Sequence, residues 1–429
     1  MQFNLNIDSF IRYHVTGRKE SLLNPDFEKY SNELNARING KSVLVIGGAG
    51  TIGSSYIKAI LKFKLSKLVV VDINENGLTE LVRDLRSSGG YNIPDEFITY
   101  PVNFGDRVFE KLFHHHGPFQ VVANFAAHKH VRSEKDIYSI EAMIENNVLR
   151  ARKLLDLLLQ SPPEHFFCVS TDKAANPVNI MGASKKLMEE LIMAYSDRLP
   201  IKTARFANVA FSNGSLPLGF LERMQKKQPW SCPRGIRRFF VSPQESGELC
   251  LMASIMGESG DIFFPKLDEE RDMIPFDQMA VDLLHTMGLE PDICATEEEA
   301  IHKSLLLTDS SFQTLLPKAN LTLSPSPNLP FSPSPTYPIY FFGSDTSGEK
   351  AFEEFYTEKE ILDMDSFINL GVVKNSKKRT IQEIDAIFAQ LRSLFESKQV
   401  TKSAIVEILA QFLPNFAHIE TGKGLDSKM

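Results

Sequence analysis

From Lys41 to Val209 short apolar runs alternate with helix-length segments, and no other feature of the chain constrains its fold as much. The runs KSVLVIGG, SKLVVVD, EFITYPVN, FQVVANFAA, HFFCVST and IKTARFANV close on or near Gly, Asp, Asn, Ser or Thr. Between most of them lie stretches such as SSYIKAILKF and IENNVLRARKLLDLLLQ, long enough for helices. Strands that alternate with helices build a parallel sheet covered on both faces. The expected class is therefore α/β, with a doubly wound parallel sheet over residues 41–210.

The first run opens into GGAGTIGSSYIKAIL, which carries Gly47, Gly48, Gly50 and Gly53 into a helix. Glycines at such a turn let backbone approach a pyrophosphate, whose charge the helix N-terminus favours. A lone G-x-G-x-x-G is a weak signal. Here it follows a strand, and Asp72 closes the next strand 19 residues past Gly53, where a carboxylate holds the adenosine ribose hydroxyls. Gly47, Gly50, Thr51, Ile52, Gly53 and Asp72 are thus the expected dinucleotide contacts. Asp72 also repels a 2′-phosphate, which favours NAD over NADP. The third run ends in NFGD and offers Asn103 and Asp106 to an adenine ring, although Asp106 equally suits a helix N-cap. In ANFAAHKHVRSEKD the small Ala126 and Ala127 let a cofactor lie against backbone, and Lys129, His130 and Arg132 then face the crevice.

Composition excludes several classes. The 429 residues are 43% hydrophobic and 24% charged, as in soluble globular chains, and suffice for one lobed domain or two. A formal charge of −7 leaves no basic footprint for nucleic acid. No stretch reaches the roughly 18 to 20 apolar residues of a membrane helix. The opening MQFNLNIDSFIRYHVTGRKE lacks a basic start followed by an apolar core, so no signal peptide is expected. Cys168, Cys232, Cys250 and Cys294 lie far apart without a C-x-x-C pair, which predicts reduced thiols in a cytoplasmic protein and no structural zinc. His114 to His116 precede Gly117-Pro118 with no carboxylate at ligand spacing, so no metal is expected there.

The fifth run ends in Thr171, Asp172 and Lys173, and Met181 stands four residues before Lys185 near a helix start. Asp172 and Lys173 place an acid beside a base just past a strand's carboxyl end, where open α/β sheets bind ligands. Met181 and Lys185 share one helix face. This spacing, the sheet and the glycine fingerprint together resemble the extended short-chain dehydrogenase/reductase superfamily, whose fold is of the Rossmann type. Within it, GGAGTIGS, NFAAHKHV, STDKAANPVNIMGASK, RFANVAFSNGS and RRFFVSPQES resemble the ordered blocks of the polysaccharide-biosynthesis nucleotide-sugar 4,6-dehydratases, from about Lys41 to about Asp277. A weaker block, TSGEKAFEEF, begins at Thr346.

The resemblance implies an NAD-dependent lyase. Such an enzyme takes hydride from sugar C4, loses water across C5 and C6, and returns the hydride to C6. It needs a base for the C4 hydroxyl, a base at C5 and an acid for the leaving hydroxyl. A 4-epimerase needs only the first. By resemblance Asp172 protonates the leaving hydroxyl and Lys173, neutral when needed, takes the C5 proton, with burial beside the nicotinamide shifting both. Most of the superfamily carries tyrosine where Met181 stands. A methionine-bearing branch is associated with retention at C5, and Met181 reads as its marker. Thr171 is then the hydroxyl expected near C4, relaying through Lys185. Asn208, Ser212, Asn213 and Ser215 in RFANVAFSNGSLP are expected donors to pyrophosphate and sugar, and Arg238 to the diphosphate. Thr346 and Ser347 replace the first two residues of the family's R-P-G-E-K block; of that block's nucleotide contacts Glu349 is the one carried over.

The implied substrate is UDP-N-acetylglucosamine, converted to its 4-keto-6-deoxy derivative for surface glycans. Two alternatives stay open: a nucleotide-sugar epimerase, and a non-catalytic sensor of dinucleotide and sugar nucleotide, which the missing tyrosine favours. Around the sheet, residues 1–40 read as a helical arm, since Phe27, Tyr30, Leu34 and Ile38 recur at helical spacing. Residues 211–365 are expected to form a smaller substrate-binding lobe, and 366–429 a helical extension containing TIQEIDAIFAQLRSLFESK and KSAIVEILAQFL. These helices cover the core or pair with another subunit, and the superfamily implies a homodimer or higher homo-oligomer. Near 319–338 LSPSPNLPFSPSPTYP is so rich in Pro and Ser that neither helix nor central strand is expected.

Overall fold

The computed structural model describes residues 5–129, 134–307, 335–343, 353–374, 378–397 and 399–419. The apolar runs form β1 Ser42–Ile46, β2 Lys67–Asp72, β3 Glu96–Pro101, β4 Val121–Asn124, β5 His165–Val169 and β6 Ile201–Ala204. In space their order is β3-β2-β1-β4-β5-β6, all parallel, which is the expected doubly wound α/β sheet. β1 is buried along its whole length, as a strand covered on both faces must be. The chain runs outward from β1 to β3 and then returns to β4 on the other side of β1. That reversal opens a crevice beyond the carboxyl ends of β1 and β4.

The chain then leaves the sheet for β7 Asn208–Val209, β8 Trp230–Arg234 and β9 Arg237–Val241, and returns for β10 Ile262–Pro265. It leaves again for β11 Met273–Pro275, β12 Glu290–Cys294 and β13 Thr336–Gly343, and comes back on β14 Ile361–Asp363 and β15 Leu370–Lys374. β10 pairs parallel with β6, β15 antiparallel with β10, and β14 antiparallel with β15, completing nine strands. Residues 361–374, read from sequence as the end of a lobe and the start of a tail, thus edge the main sheet.

The other strands form two three-stranded sheets, β11-β9-β7 and β12-β13-β8. A second apolar core gathers Phe220, Trp230, Met279 and Tyr337, and Phe10, Ile11 and Val15 of the arm plug into it. The last residues of the Pro/Ser-rich run contradict the expectation drawn from its composition: Thr336, Tyr337 and Pro338 begin β13, the middle strand of its sheet. The earlier part of that run lies outside the described residues. Pro338 has no N–H to give, but Tyr337 is fully buried beside Trp230 and its hydroxyl donates to the Gln228 carbonyl at 2.6 Å. Burying a large side chain contributes roughly 2–3 kcal/mol, against about 1 kcal/mol for one ladder bond.

The arm is broken at Tyr30 into the helices Asn24–Lys29 and Ser31–Ile38. Ahead of the break the buried Asp26 carboxylate accepts the N–H groups of Ile368 (2.6 Å) and Asn369 (2.8 Å) just before β15. Towards the other end, the Ile381–Phe395 helix opens on a Thr380–Glu383 capping box and packs against the Lys402–Phe412 helix. Beyond them Ala417 N–H donates to the Pro177 carbonyl (3.1 Å) and Ile419 N–H to that of Val178 (2.9 Å). All four cysteines are buried and free. Among the described residues no helix is long and apolar enough to cross a membrane, and no His/Cys/Asp/Glu group is arranged to hold a metal.

Candidate active site

The glycine loop meets the end of β4 with no room to spare. Gly47 has φ +77°, and a Cβ there would stand 2.5 Å from Ala126 N; one on Gly53 would stand 2.2 Å from the Gly47 carbonyl oxygen. A side chain at either position would push the loop out of the crevice. Gly50 is the N-cap of the Thr51–Ile60 helix and brings no side chain over its first turn. Thr51 Oγ1 accepts the Asn213 N–H at 3.0 Å, joining this loop to the one after β7, and Ile52 is half-buried beside it. Asp72 accepts the N–H groups of Ala49 and Asn74, both at 2.9 Å, so its carboxylate lies over the loop. These residues fit a dinucleotide: a glycine cradle that a Cβ would fill, an open helix N-terminus and a carboxylate beside it.

Farther out, Asn103 Oδ1 accepts the Gly105 N–H at 2.9 Å, and the exposed Asp106 is the N-cap of the Arg107–His116 helix without making a side-chain cap bond. Ala126 and Ala127 are half-buried, and Lys129 is exposed. His130, Arg132 and Glu349 lie outside the described residues.

The turn after β5 gathers the charges. Asp172 is buried, and its Oδ2 lies 3.1 Å from Lys173 Nζ while its Oδ1 accepts the Thr171 hydroxyl at 2.7 Å. Burial lowers the Lys173 pKa, but Asp172 and then Glu353 outweigh it and hold the ammonium above its usual value. The expectation that burial neutralises Lys173 is therefore reversed in this state, because the same burial encloses its carboxylate partner. On the Ile180–Ala194 helix, Met181 and Lys185 are both buried; Lys185 Nζ donates to the Val169 carbonyl at 2.7 Å, and burial lowers its pKa. The relay expected from Thr171 through Lys185 is not formed either. Thr171 faces its neighbour Asp172, while Lys185 is tied to the end of β5.

The lobe supplies the opposite wall. Asn208 Nδ2 donates to Glu353 Oε1, Phe239 N–H donates to Glu353 Oε2 at 2.8 Å, and Arg238 Nε lies 4.0 Å from Oε1. Ser212 is buried, whereas the Ser215 hydroxyl caps the Leu216–Gln225 helix by accepting the Leu218 N–H at 3.4 Å.

The sequence model of a family described as "Polysaccharide biosynthesis protein" matches residues 43–305. The chain belongs to this polysaccharide biosynthesis family. Among its relatives, "Probable polysaccharide biosynthesis protein EpsC" of Bacillus subtilis is 29% identical over 261 residues, 60% of this chain and 42% of that protein. This chain therefore matches less than half the length of EpsC. A Campylobacter jejuni protein named "UDP-N-acetylglucosamine 4,6-dehydratase (inverting)" is 28% identical over 287 residues, 64% of this chain and 80% of its own. The fold resembles the crystal structure of Pen from Bacillus thuringiensis with a TM-score of 0.59 at 18% identity, covering 83% of this chain and 98% of that one.

In this family member several polar residues around the site escaped the sequence reading. Buried Glu134 accepts the Met181 N–H at 2.9 Å and fixes the start of the helix that carries Lys185. Asn147, in the π-turn Glu145–Leu149, accepts the His128 N–H (2.8 Å) and donates to the His128 carbonyl (3.0 Å) and to Ser184 Oγ (3.1 Å), joining the end of β4 to that helix. A pair of buried asparagines in the helical stretch IENNVL was the available signal. Glu353 left only the faint trace of a doubled glutamate after the TSGEK block.

Proposed function

We propose that the protein is an NAD-dependent nucleotide-sugar 4,6-dehydratase acting on UDP-N-acetylglucosamine, with C5 configuration retained. The observation that carries this reading is the ion pair between buried Asp172 and half-buried Lys173 at the carboxyl end of β5, across the crevice from the glycine loop. NAD, when bound, supplies the oxidant for sugar C4 and returns the same hydride to C6. Gly47, Gly50, Thr51, Ile52, Gly53 and Asp72 hold it, with Asn103, Asp106, Ala126 and Ala127 beyond the other strand ends.

The ion pair already contains the proton the elimination needs. Transfer from Lys173 Nζ to Asp172 over 3.1 Å gives a neutral amine and a neutral acid. Sugar filling the crevice excludes water, which favours the neutral pair over the ionic one. Lys173 then takes the C5 proton, Asp172 gives its proton to the departing C6 hydroxyl, and water leaves. The returning proton at C5 comes from Lys173, and the hydroxyl proton released when C4 is oxidised passes to solvent, which reprotonates Lys173 after product leaves. Thr171 keeps Asp172 oriented through its hydroxyl, and Lys185 stays fixed beneath the strand end. Asn208, Arg238 and Lys129 face the nucleotide sugar.

Proton NMR of the protein with UDP-N-acetylglucosamine and NAD in D2O tests the reading. The expected product is a 4-keto-6-deoxy sugar with deuterium at C5 and gluco configuration. Inversion at C5, as the name of the Campylobacter relative states for that protein, would remove Met181 as a marker of retention. C4 epimerisation without water loss would replace the dehydratase reading with an epimerase, and an unchanged substrate would replace it with a sensor.

A further inference from the structure

We infer that Glu353 is a positioning residue of this site, which fixes Asn208 and Arg238 for a nucleotide diphosphate. The inference deepens the proposed function and takes its ligand class from it. The Glu353 side chain is 3% exposed and sits on the segment that leads to β14. Its two oxygens accept from Asn208 Nδ2 on β7 and from the Phe239 N–H on β9, and Arg238 Nε stands 4.0 Å away. Two of these groups are donors that the nucleotide sugar is proposed to meet, so an internal carboxylate already occupies the anion-seeking side of the lobe.

Among the described residues the charged groups that bear on Glu353 are Asp172 and Lys173 from the turn after β5 and Arg238 from β9. Burial first, and Asp172 second, raise its pKa to about 7, while Lys173 and Arg238 pull it down. The sign follows from that value. Below it Glu353 is neutral and adds no anion beside Arg238 to oppose the phosphate. Above it a second anion competes for Arg238, and the pocket repels the diphosphate. Binding of the nucleotide sugar therefore carries proton uptake near neutrality, and affinity falls as pH rises.

The test uses the full chain and a UDP-N-acetylglucosamine analogue with fluorine in place of the C4 hydroxyl, which cannot be oxidised. Its diphosphate does not titrate near neutrality. Calorimetry in two buffers of different ionisation enthalpy gives both Kd and proton uptake. If only the neutral form binds, wild-type Kd rises about tenfold from pH 6 to pH 8 with uptake of a proton, and Glu353→Gln flattens both. Steady-state kinetics on UDP-N-acetylglucosamine then show the pH dependence in KM more than in kcat for wild type, and in neither for Glu353→Gln. Glu353→Asp restores part of the slope. A wild-type Kd that does not vary with pH, a slope surviving in Glu353→Gln, or no binding of the analogue overturns the inference. The wild-type slope decides even if Glu353→Gln fails to fold. Linked binding without turnover would sink the dehydratase reading and leave this one standing.

Discussion

Arg205 and Arg238 each meet a buried glutamate, yet the two carboxyl groups end far apart: Glu189 is lowered to about 2 and Glu353 raised to about 7. Burial pushes both upward. At Glu189 the push is outweighed because Arg205 Nε and Nη2 donate to its two oxygens at 2.9 and 2.8 Å and Ser170 Oγ adds a third bond at 2.5 Å. Glu360 completes that cluster, accepting from Arg205 at 2.9 and 3.0 Å. At Glu353 the arginine stands off at 4.0 Å and a second carboxylate, Asp172, lies close enough to repel. The contrast teaches that depth alone does not fix a carboxyl's charge. Short bonds from a paired cation do, and a carboxyl whose arginine stands off while a second carboxylate crowds it keeps its proton more readily.

The largest expected effect is in the cluster with the available proton. Lys173→Met should lower kcat by about two to four orders of magnitude, the range of a lost general base, with a lower thermal unfolding midpoint as well, because buried Asp172 loses its cation. Product formation followed by NMR checks the first part and calorimetry the second. A variant that keeps near-full turnover would erase the functional side of the contrast.

In the closed cluster the effect should fall on stability. Glu189→Gln leaves Arg205 buried with half its counter-charge and should cost about 3 to 5 kcal/mol in urea unfolding. The pH dependence has a definite sign. Glu189 has a folded value near 2 against an ordinary value of 4.5, so its stabilisation is present above about pH 4.5 and is lost as pH falls toward 2. Wild type should lose stability through that window more steeply than Glu189→Gln; equal slopes would mean that Arg205 does not hold the carboxylate as described. The smallest effect is expected for Glu360→Gln, whose side chain is 14% exposed and whose loss leaves Glu189 in place. It should cost about 1.5 kcal/mol and leave kcat and its pH profile unchanged, which steady-state kinetics can read directly.

What the sequence disclosed follows the range of the interactions involved. Strands β1 to β6 and the glycine loop are written in local patterns: apolar runs, their closing residues, and glycines whose Cβ would collide across the crevice. Asp172 and Lys173 were visible because two charges directly after a buried strand need a reason. Glu353 was not, since it joins Asn208 from 145 positions away on a segment whose pairing no local pattern specifies. The charge on Lys173 was misjudged for a related reason. Burial was legible, but the carboxylates enclosed with it were not. Strands β14 and β15 escaped because they pair antiparallel, outside the alternating strand–helix pattern, and depend on β10 already being in place.

Pro265 and Leu370 are register partners where β10 meets β15. As far as the β10–β15 ladder is concerned, the chain departs and returns at one address, and what lies between, up to β14, is a single excursion whose length that ladder does not sense. Lengthening such an excursion costs only slowly growing closure entropy, about 0.6 kcal/mol for each doubling. Inserted sequence is therefore cheap to carry here, and the Pro/Ser-rich run lies within this interval. New surface can accumulate in it across generations while the glycine loop, on the far strands of the same sheet, keeps its geometry.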